Sequence, residues 1–386
     1  MSRHKKGLRE LDRISRLTGQ GIADRLSELS PVLSGILVDH AYGTVYSGAE
    51  LSRRSREIAT VAMLAAGGYT SELRIHLEAS LRVGVDFSEL VALAEHVSIY
   101  AGVPRMIEMA DILRELATEE QKSCSGSFFS MPDHETVLVD TGGEKPPLVL
   151  LHSIGTSRWI FRSLLPVLAR SHRVMVYDLR GHGAASGAPG PLSMDRWAED
   201  LRFFLDRLGI PSAHIGGLSM GASLALFFGE RYPERVLSLS LMGIPSPDPE
   251  KFLERAREIE ERGAESQVAP TLARWFSPVF LAGNPWEVRI CRENLLRIHP
   301  EDWKGAFHAL AHLPPVSGSR SLPFHVSFIA GEQDQSVTSV SVRAFSSRYS
   351  SSRLYIIPDA PHQMSLETPD GLCRVLQEST VLSDRT

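Results

Sequence analysis

Apolar positions in the first third of the chain recur at helical spacing. In "LSRRSREIATVAMLAAGG", residues 51–68, Leu51, Ile58, Val61, Met63, Leu64 and Ala65 form a wide apolar face that stops at Gly67-Gly68. "TSELRIHLEASLRVG" repeats the pattern to Gly84, and "DFSELVALAEHVSIYAG" carries it to Gly102-Val103-Pro104. A fourth helix is predicted over "RMIEMADILRELATEEQ", and no strand is convincing up to that point. The Ser/Gly-rich "KSCSGSFFSMPD" then reads as a linker.

Beyond it the period shortens. "ETVLVDTG", "PPLVLLHS", "HRVMVYDLRG", "AHIGGLS", "VLSLSLMG", "FHVSFIAGEQD" and "RLYIIPDA" are short β-rich runs, most of them separated by helical patterns such as "SMDRWAEDLRFFLDRLG". That alternation predicts a doubly wound, mainly parallel sheet covered on both faces. One interval, about residues 246–318, is helical and aromatic-rich with no strand, which suits a lid over a site. The pattern therefore divides the chain into a helical domain (1–121), a linker (122–134) and an α/β domain with a helical lid (135–386).

Composition narrows the function classes. A formal charge of -5, with no basic block, argues against nucleic-acid binding. The polar opening lacks the apolar core of a signal peptide, and no apolar run approaches a membrane span, so a cytoplasmic protein without membrane partners is expected. The three cysteines, Cys124, Cys291 and Cys373, are far apart and suggest neither a disulfide framework nor a thiolate metal site.

Chemistry concentrates in "IGGLSMGASL". Gly217-Leu218-Ser219-Met220-Gly221 satisfies G-x-S-x-G between a strand and a helix, as a nucleophile elbow requires. The acid and histidine must then follow in that order. Asp334 and His362 each come after an apolar strand, where an open α/β sheet presents its ligand site. Asp359, three residues before His362, is the rival acid but suits a turn better. The backbone N–H of Met220 is one expected oxyanion donor, and that of Ile154, in the loop after "LVLLHS", is the second. His152 is read as a brace for that loop, and "DLRGHG", with Asp178 and His182, as a hydrogen-bonded turn. Trp275, Phe276, Trp286, Trp303 and Phe307 are candidate lid residues in contact with substrate, with burial in the lid's own core as the competing reading, favoured for at least half of them. These residues identify the segment from Glu135 onward as a member of the α/β-hydrolase superfamily.

The helical domain has a polar group of its own. Glu72 and His76 are four apart on one predicted helix, His96 and Tyr100 share a face of the next, and Arg56 precedes them. A proton donor, a partner carboxylate and a cation there suit an anionic ligand, whereas a Glu/His metal site lacks a third ligand. Surface or interface positions are the plainer alternative.

The stretches "HAYGTVYSGAELSRRSREIATVAMLAAGG" and "ELRIHLEASLRVGVDFSELVALAEHVSIYAGVPRM" closely resemble the 4-carboxymuconolactone decarboxylase family over nearly all of residues 30–110. Thiol-dependent relatives carry a CxxC ahead of the same histidine. Here Glu72 stands at the second cysteine, which excludes thiol chemistry. The hydrolase half resembles 3-oxoadipate enol-lactonases in "HSIGTS", "VYDLRGHGAASGAPGPLSMDRWAEDLRFFLDRLGI", "GGLSMGAS" and "ARWFSPVF".

Together the resemblances imply consecutive steps of protocatechuate catabolism on one chain: a cofactor-free decarboxylation, then hydrolysis of the resulting enol-lactone. They also imply a trimer or hexamer assembled through the helical domain. Three features depart from the pattern. The helical domain comes first, His152 stands where the lactonases usually have Asn, and the lid reads "PEDWKGAFHALAHL". An ester, lactone or C–C hydrolase of a specialised-metabolite pathway is the alternative, with a helical domain that either acts on a related substrate or serves only for oligomerisation.

Overall fold

The computed structural model describes residues 2–14, 19–48, 50–83, 85, 87–116, 126–313, 320–350 and 352–381. It divides into two compact units, Met1–Lys122 and Ser123–Thr386.

The first unit is helical among its described residues. Helices α1 (Arg3–Ile14), α2 (Gly19–Leu29) and a turn of α3 (Pro31–Ser34) lead into a π-helical stretch, Gly35–Tyr46. The four helices expected from the apolar period follow as α4 (Arg53–Gly67), α5 (Thr70–Arg82), α6 (Phe87–Ala101) and α7 (Val103–Leu116). Ser52 caps α4 by accepting the Ser55 N–H, and Gly68 ends it in the left-handed conformation with φ 74°. The apolar stripes of α4–α7 meet in one cluster that includes Val61, Leu73, Leu77, Leu90 and Met109. A smaller cluster of Leu11, Val38 and Tyr42 joins α1 to the π-helical stretch.

The second unit is an eight-stranded sheet in the order β1-β2-β4-β3-β5-β6-β7-β8. Its strands are β1 (Gly126–Ser130), β2 (Glu135–Asp140), β3 (Pro147–Leu151), β4 (Arg173–Tyr177), β5 (Ala213–Leu218), β6 (Val236–Met242), β7 (His325–Gly331) and β8 (Ser352–Ile357). The pairs β1–β2 and β2–β4 are antiparallel, and every later pair is parallel. All seven expected strands form. The eighth, β1, lies inside the stretch expected to be a linker, so the sheet begins earlier than the composition suggested. This edge strand is short and mostly exposed, and only Phe129 turns inward, onto Phe204 at 5.2 Å. Five residues with one buried side chain leave too little alternation to distinguish from a Ser/Gly loop.

Helix α9 (Met194–Arg207), which follows a short α8 (Leu165–Leu168), shows how the sheet is covered. Ser193 caps it, and Trp197, Leu201, Phe204 and Leu205 form a fully buried stripe. Truncating Phe204 to alanine would cost about 3–5 kcal/mol. Helix α10 (Met220–Arg231) starts directly after β5. Between β6 and β7 the described chain forms no strand but a run of helices, α11 (Pro249–Arg262), α12 (Val268–Trp275), α13 (Pro278–Gly283), α14 (Trp286–Arg297) and α15 (Pro300–Ala311), with an isolated bridge from Arg320 to Tyr349 after it. Residues 314–319, the end of the expected lid interval, lie outside the described residues. Helices α16 (Ser339–Ser346), α17 (Met364–Glu367) and α18 (Pro369–Val381) complete the unit.

Candidate active site

The turn from β5 into α10 holds Ser219 at φ 56° and ψ -111°, a left-handed conformation costing a side-chain-bearing residue about 1–3 kcal/mol. The flanking glycines are steric requirements of that turn. A Cβ on Gly217 would lie 2.1 Å from the Gly221 carbonyl oxygen, and one on Gly221 would lie 2.1 Å from the Leu151 carbonyl oxygen. The Ser219 N–H donates to the Met242 carbonyl at 2.8 Å, which pins the elbow to the end of β6.

His362 and Asp334 follow β8 and β7, and both are buried. His362 Nδ1 lies 2.8 Å from Asp334 Oδ2. The other carboxylate oxygen, Oδ1, accepts the N–H groups of Ser336 and Val337, each at 2.8 Å. Both oxygens of Asp334 are thus engaged, which holds the carboxylate in place against His362 Nδ1. Gly243, next to the residue that accepts from Ser219, packs against this pair. A Cβ there would be 3.3 Å from both Asp334 Oδ2 and His362 Nδ1. Ser219, Asp334 and His362 therefore all follow the carboxyl ends of parallel strands of one sheet. The rival Asp359 is a turn residue with φ 56° that accepts from Gln333 Nε2 at 3.0 Å.

Met220 is the first residue of α10, where an N–H has no partner in its own helix, and Ile154 lines the same cavity as Ser219. His152 is fully buried: its Nδ1–H donates to the Ser153 carbonyl at 2.9 Å and its Nε2 accepts the Leu179 N–H at 2.9 Å. Burial pushes its pKa down to about 4, so it braces the loop as a neutral ring. Asp178 accepts the N–H groups of Arg158 and Ala184 at 2.8 and 2.9 Å, as a structural turn would have it.

The cavity above Ser219 has a volume of about 180 Å³. Of the aromatic residues expected in it, Phe307 is there, while Trp275, Phe276 and Trp303 are not among its lining residues. Trp275, Phe276 and Trp303 are all buried in the core of this unit, while Phe252, Phe307 and Leu310 line the cavity. Trp275 instead supports the site, since its carbonyl accepts the Gln363 N–H at 2.9 Å beside His362. Composition could not separate the two sets, because each aromatic is equally apolar and only the lid's packing sorts them. Two cations, Lys251 and Arg255, also line this cavity, and the sequence reading missed both.

In the helical unit, His76 is paired, but not with Glu72. Its Nδ1 lies 2.8 Å from Oε2 of Glu57 on the preceding helix, and Glu57 is 1% exposed. Glu72 stands exposed in the first turn of α5. The i, i+4 spacing was correct for the helix but said nothing of which way the ring turns. A signal for Glu57 was present: it occupies the same stripe as Val61 and Ala65, both buried, where a carboxylate needs a partner. Its Oε1 is buried without a hydrogen bond among the described residues, as is Arg56 Nε, while Arg56 Nη2 donates to the Gly48 carbonyl at 3.3 Å. His96 is exposed and packs on Tyr100 with ring centroids 4.9 Å apart. Among the described residues no hydrogen bond joins it to His76, and no cluster of three His, Cys, Asp or Glu is placed to hold a metal. No described helix is long and apolar enough to cross a membrane.

A strained serine elbow and a buried Asp–His pair at the carboxyl ends of one doubly wound sheet are the arrangement of an α/β-class hydrolase. The family profile of the alpha/beta hydrolase fold matches residues 146–369, and the chain belongs to that family. Its helical region is a domain of the carboxymuconolactone decarboxylase family, matched over residues 31–115. The chain is 28% identical over 232 residues to 3-oxoadipate enol-lactonase 2 of Acinetobacter baylyi, covering 59% of this chain and 86% of that one. A hydrolase structure from Pseudomonas aeruginosa PA01 is similar at 27% identity and TM-score 0.60, over 66% of this chain and 97% of its own. The enol-lactonase structure from Burkholderia xenovorans LB400 shares the fold, with TM-score 0.59 and 21% identity over 66% of this chain and all of that one.

Proposed function

We propose that the protein decarboxylates 4-carboxymuconolactone in its helical domain and hydrolyses the resulting enol-lactone to 3-oxoadipate at Ser219. The observation that carries this reading is the presence, on one chain, of two His–carboxylate pairs of different kinds, each with a buried carboxylate. His362–Asp334 lies beside a serine elbow, and His76–Glu57 lies in a decarboxylase-family domain.

In the first reaction, loss of CO2 leaves a pair of electrons that the unsaturated lactone carbonyl delocalises, so the chemistry requires no separate electron sink. His76, oriented by Glu57, would deliver the proton to the distal carbon, with Arg56 as the cationic clamp and His96 as a second candidate donor. In the second, His362 would take the Ser219 proton as Oγ attacks the lactone carbonyl. The oxyanion would be held by the N–H groups of Met220 and Ile154. Cleavage of the acyl–oxygen bond expels an enolate, which His362 protonates and which tautomerises to the ketone. Water, activated by His362, then hydrolyses the acyl-enzyme. Asp334 would hold the ring and balance its charge.

Self-association through the helical domain, as a trimer or hexamer, is part of the same proposal. It is supported by Met63, Ile75, Ile99, Tyr100 and Val103, each at least half exposed in this unit. The test is 4-carboxymuconolactone mixed with wild type and with Ser219→Ala, followed by CO2 release and product NMR. Wild type should yield 3-oxoadipate and the variant should stop at the enol-lactone. No CO2 from either protein would overturn the decarboxylation reading, and the ester opened by Ser219 would belong to another pathway.

A further inference from the structure

The lid helix α11 places Lys251 and Arg255 four residues apart, hence on one face, and both line the cavity that contains Ser219. Like charges at this spacing oppose helix formation. Among the described residues neither side chain has an ion pair or a hydrogen bond. Three carboxylates are near Arg255: Asp248, Glu254 and Glu258. Asp248, which also lines the cavity, accepts the Lys251 backbone N–H at 3.2 Å as the helix cap, so it serves the backbone. Arg274 of α12 adds a third cation. Its Nε is buried without a partner, and one Nη donates to Thr271 Oγ1 at 3.0 Å. The Arg255 guanidinium lies 5.8 Å from the Phe307 ring centroid, held against the apolar wall of the cavity. Burial, and then the charge of Arg274, pushes Arg255 down to about 10; burial and then Arg255 lower Lys251. Arg255 is thus held partly out of water beside the more exposed Lys251, and among the described residues neither has a bonded counter-charge.

A site for a neutral ester gains nothing from that arrangement. We propose that Lys251 and Arg255 form the recognition subsite for a carboxylate at the far end of the acyl chain, so that the hydrolase domain selects anionic lactones and esters. This rests on Ser219 being the nucleophile. The carboxylate would receive two charge-assisted hydrogen bonds from the lid while the acyl carbonyl sits at Ser219, with Phe252, Phe307 and Leu310 along the methylene chain. Closing the lid on such a substrate replaces cation–cation repulsion with ion pairing.

The test compares the 4-nitrophenyl monoester of adipic acid with 4-nitrophenyl methyl adipate, which has the same chain without the charge. Wild type should favour the anionic ester in kcat/KM, and the double variant Lys251→Gln, Arg255→Gln should lower that ratio about 10- to 100-fold. Arg255→Lys should retain most of it. Free adipate should inhibit wild type competitively, with a Ki that rises by a similar factor in the double variant. That second readout reports binding of the carboxylate without any reaction of the adipate. A ratio and Ki unmoved by the double variant, or no preference in wild type, would overturn the subsite. Ser219→Ala keeps the two readings apart: hydrolysis of both esters should vanish, and if it survives, the nucleophile assignment fails whatever the lid does.

Discussion

The two His–carboxylate pairs have nearly identical geometry, 2.8 Å from ring nitrogen to oxygen, but different completeness. Asp334 has both oxygens satisfied, by His362 on one side and two backbone N–H groups on the other. Glu57 has one oxygen on His76 and the other buried with no hydrogen bond among the described residues, and Arg56 Nε is in the same condition. The first site has every supporting group supplied by its own unit. The second has capacity left over for a ligand or a neighbouring subunit, in a unit that also exposes large apolar side chains. An unpartnered buried oxygen costs about 1–3 kcal/mol, so its retention fits a group that binds something.

The sharpest way to separate the sites is Ser219→Ala. Ester and lactone hydrolysis should fall at least about 10,000-fold while CO2 release continues. Parallel loss of both activities would sink the assignment of two independent sites. Next in size, Glu57→Gln and His76→Gln should each slow decarboxylation by about 100- to 1000-fold, with 4-nitrophenyl ester hydrolysis retained. Glu72→Gln should change neither rate by more than about twofold; a large effect there would restore the pairing expected from spacing alone.

Acid stability probes the hydrolase unit. His152 and His182 are buried as neutral rings, with pKa values pushed down to about 4 and about 3 chiefly by burial. An unfolded histidine takes up its proton near pH 6.5, the native ring only well below that. Their contribution is therefore fully present above about pH 6.5 and is lost as pH falls from there toward 4, by up to ~3 kcal/mol per ring. Urea midpoints between pH 7 and 5 should fall accordingly, less steeply in His152→Asn. An unchanged slope in that variant would remove His152 from the effect. The smallest expected change is structural: Gly221→Ala should destabilise by about 1–3 kcal/mol through contact with the Leu151 carbonyl, read as a lower thermal midpoint.

Much of this was legible in the chain. Seven strands and four helices of the first unit followed from period, and the strand-to-helix turn at Ser219 from motif, because hydrophobic alternation and turn sterics are local. The edge strand β1 escaped because one buried side chain leaves no period. Glu57 escaped although it stood in an apolar stripe, because the visible i, i+4 partner Glu72 drew the inference along one helix rather than across two.

By itself the sequence determined the two fold classes and the elbow, since G-x-S-x-G and strand-end positions constrain backbone that any such sheet must build. Only the tertiary structure decided which carboxylate meets His76, which aromatics are core and which wall the cavity, and that Lys251 and Arg255 face Ser219. Those are matters of how separate elements rotate against one another, and the direction a side chain takes across a helix interface is set by packing that no local pattern records.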